Sequence, residues 1–356
     1  MTIRNRTGNA TCNAPGPAVA ADAAAAEALL PGPPRGRVGA LGGVLLRGSG
    51  QVIFMNSPLS GACNIAALAW GAHSGGTTWA VALGAVVGVL VATLAAALLR
   101  ADEDALRQGL HGFNGLLVGA AIPTFLADTP AMWAMLILAT AASAVVTLAT
   151  ERALRPVAMP GLTFPFVLTA WLVLLAAQDG SGFSGLALAP AGELAAGPDS
   201  ALALIARAWL TNVSQVFFID DPVSGALILT GLALHSRWCA ALAAAGSAIG
   251  VAAALAAQAD PVLLAHGLLG YSAVLTAPAV GCIFMAPSAR TLGYALLAAL
   301  FTMIVQGAVA SFVQMAGLPP FTFPFVLATW LFLLAWRSHP RDGAETAPSG
   351  EGASGR

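Results

Sequence analysis

Two short segments carry the residues best suited to handling a polar solute: Met159-Pro160-Gly161-Leu162-Thr163-Phe164-Pro165-Phe166-Val167-Leu168 and Leu318-Pro319-Pro320-Phe321-Thr322-Phe323-Pro324-Phe325-Val326-Leu327. In each, prolines bracket a threonine. Proline removes backbone donors and disturbs a helix, so nearby carbonyl oxygens lose their intrahelical partners. In apolar surroundings such backbone is tolerated only inside protein or along a wet cavity. A row of free carbonyls with the hydroxyls of Thr163 and Thr322 can accept hydrogen bonds from amide NH2 groups. One copy alone reads first as a structural kink whose threonine bonds its own helix; the symmetric duplication reverses that preference in favour of a lining role.

A second pair is Gln51-Val52-Ile53-Phe54-Met55-Asn56-Ser57-Pro58-Leu59-Ser60-Gly61 and Gln215-Val216-Phe217-Phe218-Ile219-Asp220-Asp221-Pro222-Val223-Ser224-Gly225. The amides of Gln51 and Gln215 can donate and accept without raising a charge barrier, which suits a neutral solute. A glutamine that only satisfies nearby backbone is the competing reading. Asn56-Ser57-Pro58 and Asp220-Asp221-Pro222 read as helix stops followed by caps for the next helix, and capping is favoured over ligand contact for both acids. A third pair, Gly112-Phe113-Asn114-Gly115-Leu116-Leu117 and Gly270-Tyr271-Ser272-Ala273-Val274-Leu275, joins small residues that allow close helix approach to aromatics that can form flat, dry slots.

The elements that hold these residues lie in a membrane. Charged residues are 9% and hydrophobics 58% of the 356 residues, too few charges to cover a soluble surface. All 15 basic residues are Arg and the formal net charge is −1, which offers no polycationic surface and speaks against a nucleic-acid partner. Cys12, Cys63, Cys239 and Cys282 have neither disulfide nor zinc spacing and read as small hydrophobes. Apolar stretches of crossing type fall near 58–73, 78–99, 109–126, 131–149 and 161–177, then near 222–235, 238–257, 263–284, 291–313 and 321–336. Before each set lies a shorter, interrupted segment, near 38–55 and 201–219, with the character of a re-entrant half-helix.

Threading ten crossings puts Arg100, Arg107, Arg152, Arg155, Arg237, Arg290, Arg337 and Arg341 on one side, with Asp128, Asp179, Glu193, Asp199 and Asp260 opposite. Only Arg207 breaks the segregation, and the positive-inside rule makes both termini cytoplasmic. The glutamine motifs stand 164 residues apart and the threonine motifs 159, so the chain is duplicated. An odd number of crossings per half inverts the second copy and places a site where the interrupted helices of the halves meet. The expected fold is all-α and polytopic, with two inverted repeats of five transmembrane helices plus one half-helix each. The expected units are a disordered tail over 1–37, repeats over 38–178 and 201–337, an extracytoplasmic linker over 179–200, and a disordered tail over 338–356.

Together these motifs resemble the urea transporter family, over nearly the whole chain from about Val38 to Arg337. The resemblance implies a bacterial inner-membrane protein, a homotrimer with one pore per protomer, and passive conduction of urea amid membrane lipid, without cofactor, metal or catalytic residues. Carried onto this sequence, it makes Gln51 and Gln215 the contacts at two outer sites. Phe54 with Phe113, and Phe218 with Tyr271, form two aromatic slots. Thr163 and Thr322 line a central site that Leu117 and Leu275 constrict. Three positions depart from the pattern: Tyr271 stands where the first half has Phe113, Ser272 where it has Asn114, and Met159 where the signature has Leu. The Tyr271 hydroxyl could hydrogen-bond substrate or narrow its slot. Competing readings are an ammonia or small-amide channel and, further off, an ion-coupled transporter using His73, His111, His235 or His266, all near helix ends. An enzyme is the most remote class, since no nucleophile, base and orienter cluster and no phosphate loop is present.

Overall fold

The computed structural model describes residues 37–178, 185–190 and 194–337. Both expected tails, apart from Arg37, and residues 179–184 and 191–193 of the expected linker lie outside the described residues. Helices α1 (Arg37–Gln51), α2 (Pro58–Ser74), α3 (Trp79–Leu98), α4 (Glu103–Arg107), α5 (Phe113–Phe125), α6 (Pro130–Leu154) and α7 (Phe164–Ala176) make the first half. The second half repeats them as α8 (Ala201–Ser214), α9 (Pro222–His235), α10 (Arg237–Ala256), α11 (Pro261–Ala265), α12 (Tyr271–Pro278), α13 (Ala289–Gln314) and α14 (Phe323–Arg337). A π-helical turn, Ala279–Ile283, extends α12. Among the described residues no strand occurs beyond one bridge between Leu126 and Leu188, so the all-α expectation holds.

Local chemistry sets the breaks. The residue before a proline is pushed into extended backbone, and Ser57 (φ −139°, ψ 124°) and Asp221 (φ −150°, ψ 124°) adopt it. Each then caps the following helix: the Ser57 hydroxyl accepts from the Ser60 amide at 3.3 Å, and Asp221 accepts from the Ser224 amide at 2.6 Å. The half-helices therefore end in elbows, and α8 with its terminal turn meets α9 at 73°.

The helices differ in length. Among the described residues, four helices are long and apolar enough to cross alone, α3, α6, α10 and α13. The other six expected spans resolve into helices of 13 to 17 residues. At 1.5 Å per residue a 13-residue helix covers about 20 Å, short of the roughly 30 Å hydrocarbon core. The deficit arises where the motifs lie: residues 159–163 and 318–322 are not helical, and short helices plus turns replace the expected spans over 109–126 and 263–284.

The two halves are bonded reciprocally. The Ser60 hydroxyl donates to the Gly231 carbonyl (2.7 Å) and the Ser224 hydroxyl to the Ala67 carbonyl (2.9 Å). The Trp171 indole N–H donates to the Pro319 carbonyl and that of Trp330 to the Pro160 carbonyl, both at 2.8 Å. Such exchange is the signature of a two-fold axis. The start of α2 meets the end of α9 and the reverse, so equivalent helices run antiparallel. The axis is then perpendicular to the helices, hence in the membrane plane. The repeat is inverted.

Within each half, small residues let the third and fifth helices touch at their backbones. A Cβ built on Gly119 of α5 would overlap the Gly84 carbonyl oxygen of α3, whereas one built on the exposed Gly293 meets nothing within 4 Å. Gly119→Val is expected to cost about 3 kcal/mol or more by overpacking, and Gly293→Val to cost little. Thermal unfolding of both variants in detergent checks this; equal melting temperatures would refute the close-contact account.

Candidate functional site

The two threonine motifs meet at the axis. The hydroxyls of Thr163 and Thr322 are buried and hydrogen-bonded to each other at 2.6 Å. Equivalent atoms in contact must straddle the pseudo-two-fold. One hydroxyl donates within the pair, so the other keeps its hydrogen, and both keep lone pairs. The pair can thus accept from an N–H and donate to a carbonyl of the same solute.

The expected row of free carbonyls is corrected. Every carbonyl from 160 to 163 and from 319 to 322 already accepts one hydrogen bond. Pro160 and Pro319 take the indole N–H of the opposite half, as above. Gly161 and Pro320 accept from the amides of Phe164 and Phe323 (3.2 Å each), and Thr163 and Thr322 from those of Val167 (3.0 Å) and Val326 (3.1 Å). The Leu162 carbonyl accepts from the Asn114 side-chain amide at 3.4 Å, and the Phe321 carbonyl from the Tyr271 hydroxyl at 2.7 Å. A carbonyl has two lone pairs, so each retains one for a solute, in a fixed direction. Both Leu162 (φ 51°) and Phe321 (φ 46°) are left-handed, as are Phe54 (φ 67°) and Phe218 (φ 61°) at the elbows. Such backbone costs a bulky residue about 1–3 kcal/mol and persists only where surroundings over-determine it.

At the elbows Gln51 donates from its side-chain amide to the Gln108 carbonyl (3.0 Å), and Gln215 likewise to the His266 carbonyl (2.8 Å). One N–H of each amide is therefore committed to backbone, which leaves Oε1 as an acceptor for a solute. The rings that touch Phe54 belong to the opposite half: Phe284 and Phe325, with centroids 6.2 and 6.0 Å away. Phe218 mirrors this with Phe125 (6.3 Å) and Phe166 (6.1 Å), and adds Phe321 at 6.0 Å. Phe113 and Tyr271, the expected slot partners, lie at the starts of α5 and α12 and make no edge or stacking contact with Phe54 or Phe218. Faces that admit a solute must stand further apart than touching rings. Leu117 and Leu275 are fully enclosed in the core that packs behind these aromatics.

A cavity of about 690 Å³ is lined by Gln215, Phe218, Asp220, Tyr271 and Thr322 of the second half, with Gly76, Phe125 and Phe166 of the first half. Gln51, Phe54, Phe113, Leu117, Thr163 and Leu275 do not line it. The Tyr271 hydroxyl donates to the Phe321 carbonyl, and the residue lines this cavity. Asp220 corrects the capping reading: Asp221 caps α9, while Asp220 accepts from Arg207 (2.8 Å) and pairs with the His266 ring, whose other nitrogen meets the Ala195 carbonyl at 2.9 Å. Arg207, the arginine out of place, is thereby neutralised. His73 is exposed, whereas His111, His235 and His266 are buried. The thiols of Cys239 and Cys282 lie 2.9 Å apart in the core, a proximity their spacing of 43 residues did not signal.

Sequence reading missed Trp171 and Trp330, Phe125 and Phe284, and Phe166 and Phe325 as site residues. All recur at the 159-residue offset, so extending the alignment past the motifs would have found them. Gln306 had no such signal, because Thr147 stands at its counterpart.

Asp220→Ala leaves Arg207 and His266 without their carboxylate and is expected to destabilise by about 1–3 kcal/mol. The double variant with Arg207→Ala should lose less than the two single variants combined, with a coupling of about 0.5 kcal/mol or more. Thermal unfolding in detergent reads the cycle, and strict additivity would contradict the pairing.

The family model described as "Urea transporter" matches residues 43–337. Urea transporter 1 of Ovis aries is 31% identical over 302 residues, covering 83% of this chain and 77% of that protein. Urea transporter 1 of Rattus norvegicus is 31% identical over 307 residues, with the same coverage of each. The match spans both halves and takes in every motif described above: this chain belongs to the urea transporter family.

Proposed function

We propose that this chain conducts urea passively through a narrow path between its inverted halves, with the Thr163–Thr322 pair at the midpoint. The observation that carries the reading is that pair itself, hydroxyl to hydroxyl at 2.6 Å on the pseudo-two-fold, flanked by carbonyls whose directions are fixed. Urea is planar and neutral, with four N–H donors and one strong acceptor. Stripping its water costs several kcal/mol unless replaced. Acceptors along one edge and phenylalanine rings over the flat faces replace that water in one orientation. Partners repeated along the path keep each binding step weak, which conduction requires. An ion gains no comparable return, because the midpoint holds no charge.

Under this reading the chain is a transporter and performs no covalent chemistry. It sits in a bacterial inner membrane with both termini cytoplasmic, as the Arg segregation supports. It assembles as a homotrimer with a pore in each protomer, which native mass spectrometry from lipid-like detergent tests by giving three copies rather than one or two.

Stopped-flow urea flux into proteoliposomes tests the mechanism. Thr163→Val and Thr322→Val keep side-chain shape and remove one hydroxyl each. Each should lower flux about five- to ten-fold, in line with a lost buried hydrogen bond, and the double variant should fall short of the product because the two groups touch. Imposed proton or sodium gradients should leave flux unchanged. Accumulation against a urea gradient would overturn the passive mechanism and turn attention to Asp220 and His266.

A further inference from the structure

Of the carbonyls that flank the threonine pair, six are held in the same way in both halves, by an indole or by backbone. The remaining two are not. In the first half the Leu162 carbonyl is held by Asn114, which also accepts from the Phe166 amide (3.2 Å) and lies 3.5 Å from the Thr147 hydroxyl. In the second half Ser272 replaces Asn114 and is too short to reach, and Gln306 stands where Thr147 does. A chain of three bonds spans the gap. The Ser272 hydroxyl donates to Gln306 Oε1 (2.8 Å), Gln306 Nε2 donates to the Tyr271 oxygen (3.2 Å), and the Tyr271 hydroxyl donates to the Phe321 carbonyl (2.7 Å). All three side chains are buried, and the donor directions run one way along the chain.

We propose that Gln306, Ser272 and the Tyr271 hydroxyl form a positioning relay that fixes the Phe321 carbonyl, and through it Thr322, as Asn114 fixes Leu162 and Thr163. The proposal rests on the reading of the threonine pair as the midpoint of the urea path. Asn114, Thr147 and Phe113 correspond to Ser272, Gln306 and Tyr271: the amide stands on α13 where the first half has it on α5, the counterpart of α12, and the tyrosine hydroxyl completes its reach. Tyr271 and Ser272 are then one coupled substitution. The Tyr271 hydroxyl is committed to the wall and is not a ligand. Left-handed Phe321 gives this work to do, since a strained turn keeps its geometry only while held. A serial chain of buried bonds also polarises cooperatively, so cutting it anywhere loosens the end.

The test compares urea and N-methylurea flux in proteoliposomes for four proteins. Tyr271→Phe keeps the ring and removes only the hydroxyl; urea flux should fall about five-fold, the effect of one lost hydrogen bond. The ratio of urea to N-methylurea flux should narrow with it, because the released carbonyl no longer selects a full set of N–H groups. Gln306→Met cuts the relay upstream, leaves Tyr271 intact, and should move both readouts the same way by about two-fold. Tyr271→Phe/Ser272→Asn/Gln306→Thr transplants the first-half arrangement and should return both to within about two-fold of wild type. A role in packing alone would not be rescued by three simultaneous changes. Unchanged flux ratio in both cut variants, or a transplant no better than Tyr271→Phe, overturns the relay. Gradient-driven urea uptake by wild type would instead sink the passive mechanism, and the comparison among variants would still judge the relay.

Discussion

Inside a bilayer the backbone has no water to bond, so a helix can be interrupted at depth only if every freed carbonyl and amide finds another partner. The segments around Thr163 and Thr322 meet that demand with donors from three sources. These are indoles from the opposite half, side chains of the third element in the motif set, and the first amides of the helices that follow. The accounting is complete for eight consecutive-type carbonyls, and this permits the irregular path to exist. It also freezes the path. Each oxygen is left with one lone pair in a set direction, so the pattern of acceptors is fixed by the fold.

Much of the rest follows from that requirement. The indole donors must come from across the axis, so Trp171 and Trp330 tie the halves together at the place where each is least helical. The helices α2 and α9 are bonded in the same reciprocal fashion, which locks their antiparallel crossing. Close backbone contact between α3 and α5 supports the start of α5, where Phe113 and Asn114 project from a helix that begins in mid-structure. The elbows are held by Gln51 and Gln215, which bind carbonyls of their own halves and so spend part of the hydrogen-bonding capacity a solute could have used.

Symmetry is closest at the centre and loosens outward. The threonines are equivalent and touching. One step away, an asparagine faces a three-residue chain. Further out, one elbow has the uncharged Asn56 while the other has Asp220 paired with Arg207 and His266. The aromatic shells differ as well, since Phe321 adds a ring where the first half has Leu162. The two elbows therefore differ in polarity, while the threonine pair at the axis is common to both halves.

The central place of Thr163 and Thr322 came from the family resemblance; membrane residence, duplication, inversion and the elbow residues were legible from residue types and spacing. They depend on composition, on periodic apolar length and on motif order, all local or self-repeating properties. The six short helices were not legible, because a hydropathy window cannot tell a full span from a short helix continued by an irregular turn; both are apolar throughout. Nor were the partners of the freed carbonyls. Whether Pro160 bonds Trp330, or Phe321 bonds Tyr271, depends on contacts between residues 170 and 50 positions apart. Asp220 shows the limit most plainly: its local Asx-Pro context indicated a cap, but a cap needs only one carboxylate. Asp221 took that place, and packing brought Arg207 and His266 to the other. The sequence by itself determined which groups could serve a neutral, hydrogen-bonding solute. Tertiary structure alone decided which of their lone pairs remain open to it, because burial forces each polar group to choose a partner and only the folded neighbours say which.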